Sequence, residues 1–278
     1  MIKLRANQIA GKALQVRKRY LNVGAHVPIC PYNLADAMGL DVRFVQIPSF
    51  EGMYLSDENL ILISAERPEG RKRFTCAHEI GHHVLGHGTS IDEIVESGPN
   101  SQIETEADFF AGMLMMPSSA VVKTARSAGF DLSKLIPIEA YCLSKYFGLS
   151  YAGFLAQLCF SLKLIDRRTH DGLKKVSLKE IKSQIIPFET DNQVIAIYDW
   201  WLNRAIDLEV GDFVVSRTNC VLEGGDIASA VPNADCCVYK ATRPGIARLT
   251  TENWASFIRV SEKDYAGMLQ YRHQEEVE

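Results

Sequence analysis

The sequence predicts an α+β fold in three parts: a small sheet with flanking helices, a helical subdomain, and a β-rich C-terminal module. Three observations predict it. Apolar or small residues recur at helical spacing through Phe74, Ala77, Gly81 and Leu85, and again through Ile103, Ala107, Phe110 and Leu114. Short apolar runs around Val42 and Leu60 precede the first of these helices. After Pro187 the pattern changes to short runs bounded by glycine and proline. The expected domains are residues 1–120, 121–183 and 184–278.

In the first part a helix is expected from Asn7 to Tyr20. A loop punctuated by Pro28 and Pro31 follows, then a short helix from Asn33 to Met38 that Gly39 ends. Strands are expected at Asp41–Ile47 and Leu60–Ile63, with Gly52 between them. Pro68 suits the start of a helix reaching Leu85, closed by Gly86 and Gly88. Gly98-Pro99-Asn100-Ser101 reads as a loop before a helix from Gln102 to Met116, stopped by Pro117. From Ser118 to Lys182 the pattern stays helical. Beyond it, strands are expected at Val194–Tyr198, Phe213–Ser216, Cys237–Ala241 and Ser256–Val260.

Composition narrows the function classes. With 278 residues, 47% hydrophobic and 23% charged, the chain has ordinary globular usage, which excludes disorder and fibrous repeats. The longest apolar stretches, such as Ala111 to Pro117, fall far short of the roughly 18 residues a membrane span needs. The first residues lack the apolar core of a secretion signal, so export is not expected. Seven cysteines, an odd number with no C-x-x-C pair, fit a reducing, cytoplasmic setting. The net charge of −4 gives no general pull toward nucleic acid.

The chemistry concentrates in His78-Glu79-Ile80-Gly81-His82, an H-E-x-x-H pattern on an expected helix. Residues four apart on a helix differ by about 40° in direction and about 6 Å in rise, so both imidazoles can aim at one ion. Neutral imidazole suits Zn²⁺, whose catalytic sites take three protein ligands and keep the fourth position for water. Glu79, turned about 100° from His78, has a general base's place beside that position. The plainer alternative is a pair of buried histidines satisfied by hydrogen bonds, with a solvated glutamate between them.

A third ligand must come from another element. The next helix offers Glu104, Glu106 and Asp108. Glu104 and Glu106 flank its apolar stripe on opposite sides, and Glu106 lies slightly nearer the stripe's centre, so helical phase favours Glu106 with Glu104 as the alternative. Asp108 is expected to face solvent or a partner behind the ligands. Acids also gather at helix amino termini for the macrodipole, which accounts for some of this cluster.

Two separated segments, Arg73 to His82 and Glu106-Ala107-Asp108-Phe109-Phe110-Ala111-Gly112-Met113-Leu114-Met115-Met116-Pro117, resemble the ImmA/IrrE family of intracellular metallopeptidases. The resemblance covers roughly residues 33–165 and leaves the last ninety or so outside. It implies a zincin-like metallopeptidase domain, zinc held by His78, His82 and Glu106, and Glu79 as the catalytic glutamate. It also implies cleavage of a helix-turn-helix transcriptional repressor that releases stress-response or mobile-element genes. The alternative from another class is a non-proteolytic zinc-containing transcription regulator. Tyr54, His83 and His87 are the polar candidates for stabilising an oxyanion.

Weaker signals remain. Ile138 to Phe147, a turn at Gly148 and a helix from Tyr151 read as helix-turn-helix-like, but only Gln157 there suits a base edge, so direct DNA binding is weakly supported. The last part, from Gln184, has 15 acids against 8 bases, which disfavours nucleic acid and leaves a sensor or docking role. Trp200-Trp201 and Cys236-Cys237 read as core residues.

Overall fold

A computed structural model describes residues 3–88, 90–93, 102–201, 204–224, 226–233 and 236–274. The loop expected at residues 98–101 lies outside them. The chain divides into two compact units.

The first unit comprises Met1–Leu135, Leu143–Gly172 and Ala266–Leu269. Helix α1 (Lys3–Leu21) is longer than expected, and α2 (Pro31–Met38) ends at Gly39, whose left-handed φ of 73° favours glycine. Strands β1 (Asp41–Val45), β2 (Phe50–Leu55) and β3 (Leu60–Ser64) lead into α3 (Glu69–Leu85), which Pro68 precedes and Gly86 closes. Strand β4 (Ser90–Glu93) and helix α4 (Gln102–Met115) follow, then α5 (Ser118–Ser127).

The sheet order is β13-β1-β3-β2-β4, where β13 is the two-residue strand Gly267–Met268 from near the end of the chain. Strands β1 and β3 run parallel and the other neighbours antiparallel. Val42, Phe44, Phe50, Tyr54, Ile61 and Ile63 are buried, so inward residues alternate as half-buried strands require. Strand β2 was not expected from the sequence. Its inward face carries Gly52 between Phe50 and Tyr54, and a glycine there removes the apolar alternation that marks a strand.

Helix α1 packs along α4, which packs on α3. Arg17 of α1 is fully buried and donates to the carbonyls of Leu114, at 2.5 Å, of Gly24, at 2.9 Å, and of Val27. Burial lowers its pKa to about 10, so it stays charged at neutral pH and ties α1 to the last turn of α4.

Further helices are α6 (Pro137–Tyr146), α7 (Tyr151–Ala156), α8 (Arg167–Lys174) and α9 (Leu178–Ser183). Gly148, with φ of 70°, makes the turn before α7, and the Ser150 hydroxyl accepts from Gly153 N as its cap. A π-helical turn, Gln157–Ser161, continues α7. The start of α3 lies close to this turn: a Cβ on Gly70 would meet Ser150 N at 2.5 Å.

The second unit comprises Ile136–Cys142, Leu173–Tyr265 and Gln270–Glu278. Its strands are β5 (Val194–Ile197), β6 (Ile206–Glu209), β7 (Phe213–Ser216), β8 (Cys220–Glu223), β9 (Ala228–Val231), β10 (Cys237–Ala241), β11 (Gly245–Thr251) and β12 (Ala255–Ser261). They form two four-stranded sheets, β5-β7-β10-β9 and β6-β12-β11-β8. Ile186, Val194, Phe213, Val215 and Val238 make one core. Trp201 is buried, and Arg259 clamps Asp207 through two hydrogen bonds of 2.5 and 2.8 Å. None of the seven cysteines is in a disulfide. Among the described residues no helix is long and apolar enough to cross a membrane.

Candidate metal centre

Helix α3 presents His78 and His82 one turn apart, 5% and 0% exposed. Their Nε2 atoms face each other at 2.9 Å. Oε2 of Glu104 lies 3.1 Å from the first and 3.5 Å from the second. One ligand atom from each of the three residues falls within 4.8 Å of the others. Two imidazoles and a carboxylate are a donor set that suits a divalent cation of zinc type. Burial, and then neighbouring His78, hold the His82 pKa down to about 4, so the ring is neutral at pH 7 and keeps a lone pair for a metal.

The close approach of α3 and α4 makes this convergence possible. A Cβ on Gly81 would stand 3.2 Å from Phe110 Cδ1 and 3.3 Å from Ala107 Cα, tighter than most side-chain contacts. Glycine inside the histidine motif therefore lets the acid-bearing helix lie against it.

Glu106, expected as the third ligand, lies outside the cluster of His78, His82 and Glu104. The side chain is buried, but its Oε2 accepts from Arg5 Nη2 at 2.5 Å and its Oε1 from Gln102 Nε2 at 2.9 Å. The guanidinium hydrogen bond, reinforced by Gln102, lowers the carboxyl pKa to about 2. The physical reason lies in α1: Arg5 draws Glu106 away, and Glu104 is the carboxylate beside the imidazoles. Asp108, one turn beyond Glu104, places Oδ1 2.9 Å from His78 Nδ1. The spacing Glu104-x-x-x-Asp108 was a legible sign that both acids share a helix face. Arg5, 101 residues from Glu106, left no such sign.

Glu79 is fully buried on the side of α3 that meets β2. A Cβ on Gly52 would stand 2.9 Å from Glu79 Oε1 and 2.3 Å from Thr75 Cγ2, so only glycine leaves the carboxylate its place. Of the oxyanion candidates, Tyr54 and His83 bind each other, hydroxyl to Nδ1, at 2.6 Å. The third, His87, sets its Nδ1 3.1 Å from His82 Nδ1, on the far side of that ring from the Nε2 cluster. Cys76 is buried in the same helix, and burial pushes its thiol well up, which keeps it protonated and out of the ligand set.

A cavity of about 630 Å³ opens beside His78 and Asp108, lined also by Arg71, Phe74, Leu149 and Gln157. Gln157, expected as the residue suited to a base edge, is packed instead on Gly112, where a Cβ would stand 2.5 Å from its Oε1. That oxygen is buried in the cavity wall.

Residues 35–158 match the family model described as the IrrE N-terminal-like domain. The radiation response metalloprotease IrrE of Deinococcus radiodurans is 33% identical over 102 residues, covering 34% of this chain and 31% of that protein. The chain thus spans about a third of the relative's length. The matched segment holds β1 to β3, the histidine helix, α4 and the turn to α7, all the elements that build the centre. Residues 35–158 are thus similar to the IrrE-type metallopeptidases, and a metal ion is what that similarity implies for a site of two histidines and a glutamate.

Proposed function

We propose that the chain is a zinc-dependent endopeptidase of narrow specificity whose substrate is a protein, a helix-turn-helix transcriptional repressor. The observation that carries the reading is the meeting of His78, His82 and Glu104 with a buried glutamate, Glu79, adjoining on the same helix. His78, His82 and Glu104 would hold the zinc. When bound, zinc supplies Lewis acidity and a water of lowered pKa. Glu79 takes the proton of the attacking water and passes it to the departing amine nitrogen. Asp108 holds His78 in one ring orientation throughout.

The cavity beside His78 supports a peptide substrate, because a partly apolar trough next to the reacting groups lets side chains flanking the scissile bond be recognised. The repressor rests on the family resemblance, and a radiation-response role on the name of the Deinococcus relative. We assign peptide cleavage to residues 1–120, substrate docking to 121–183, and a sensor or docking role to 184–278. Seven cysteines outside any disulfide fit a cytoplasmic setting.

The test is incubation of the purified chain and zinc with a helix-turn-helix repressor encoded beside its gene. Two fragments are expected from the intact chain, and none from Glu79→Gln at full zinc occupancy. Short unrelated peptides should stay uncut. Cleavage by Glu79→Gln at the normal rate, or regulation in cells that this variant leaves intact, would favour a non-proteolytic zinc-containing regulator.

A further inference from the structure

We propose that Glu106 and His87 form a positioning relay that fixes the proton of His82, with Arg5 and Gln102 holding its far end. The inference rests on the metal-centre reading above and goes beyond it by giving work to groups outside the ligand set.

A histidine that offers Nε2 to a cation must carry its proton on Nδ1. For His82 that proton meets His87 Nδ1, 3.1 Å away. His87 Nδ1 is then the accepting nitrogen, and the His87 proton sits on Nε2. There it faces Glu106 Oε2 at 3.7 Å, an electrostatic contact rather than a full hydrogen bond. Glu106 is fixed in turn by Arg5 Nη2 at 2.5 Å and Gln102 Nε2 at 2.9 Å. Each group has one role: His82 donates, His87 accepts through Nδ1 and turns its Nε2 proton toward Glu106, Glu106 accepts, and Arg5 and Gln102 donate. The reverse polarity fails at both ends, since it would put a proton on the nitrogen the cation needs and ask a carboxylate to donate.

His78 has a shorter counterpart, with Nδ1 2.9 Å from Asp108. Both histidines are therefore fixed from behind, one directly by a carboxylate and the other through a second imidazole. Carboxylates behind metal-binding histidines typically contribute about 10–100-fold in affinity. The relay also links the centre to α1, because Arg5 belongs to that helix.

The experiment measures zinc affinity of the full chain by competition with a chromogenic chelator, alongside the melting temperature of each metal-free variant. His87→Ala and Glu106→Gln should each weaken zinc about 10–100-fold. His87→Gln, which keeps an acceptor and a donor on one planar group, should recover most of that loss. His87→Ala should melt close to the unaltered chain, since a packing role alone would move stability rather than affinity. Affinities equal to the unaltered chain in His87→Ala and Glu106→Gln would overturn the relay. So would loss of binding in Glu106→Gln with binding retained in Glu104→Gln, which would make Glu106 a ligand. Should Glu106→Gln fail to fold, the His87→Ala and His87→Gln pair decides the matter. An unaltered chain that binds no zinc removes the centre and the relay together. Peptide cleavage is not read, so failure to find a substrate leaves this test intact.

Discussion

Asp108 stands behind His78, carboxylate oxygen to Nδ1 at 2.9 Å, while Glu104 one turn earlier on α4 stands 3.1 Å from Nε2 of the same ring. One helix thus supplies both the carboxylate beside the two imidazoles and the one behind the first of them. Asp108 is 60% exposed at its side chain, so solvent screens its charge and its effect belongs at the low end of the usual range. Asp108→Ala should weaken zinc about tenfold and Asp108→Asn, which keeps an acceptor oxygen, by less. Chelator competition reads both, and an Asp108→Ala affinity equal to the unaltered chain would contradict the assignment.

Gly52 should be as demanding as a catalytic position although it carries no side chain. Gly52→Ala puts a carbon 2.3 Å from Thr75 Cγ2 and 2.9 Å from Glu79 Oε1, so Glu79 must shift. The expected outcome is a destabilisation of about 1–3 kcal/mol from overpacking, with kcat reduced and zinc affinity retained. Thr75→Ser removes the clashing methyl, and the double variant should recover part of both losses in denaturation and cleavage assays.

The metal-free chain should lose stability as pH falls from about 7 toward 4. Burial holds His82 at about 4 and also lowers His83, His87 and His273 below the ordinary 6.5. Between those values the unfolded chain binds more protons than the folded one, so the stability present above 6.5 is lost on acidification. Glu106 extends the trend: its pKa falls from 4.5 to about 2 through Arg5, so its contribution is full above 4.5 and lost as pH falls through about 2. Melting temperatures of the metal-free chain at pH 7.5, 6 and 5 should therefore descend in that order. A flat profile would mean that the histidines are not buried as described.

The core of the site was legible in the sequence because His78, Glu79 and His82 are local: one helical turn fixes their relation whatever surrounds them. Glu104 against Glu106 was not, since helical phase places both beside the apolar stripe and cannot register an arginine arriving from α1. Strand β2 was hidden for a related reason. Its inward glycine, needed so that Glu79 can approach, is the residue that breaks the alternation by which strands are read. The pairing of Gly267–Met268 with Arg43 and Phe44 joins residues over two hundred positions apart, beyond the reach of any local pattern. The H-E-x-x-H helix and the strands at Asp41 and Leu60 lie within one or two residues of their expected bounds, as strongly periodic segments should.

The most direct measurement is a crystal structure of the zinc-loaded chain with anomalous scattering collected at the zinc edge. A single strong peak is predicted about 2.0–2.2 Å from His78 Nε2, His82 Nε2 and a Glu104 oxygen, with a solvent ligand on the side of Glu79. A peak held by Glu106 in place of Glu104, a fourth protein ligand closing the solvent position, or no peak between the two histidines would contradict the account.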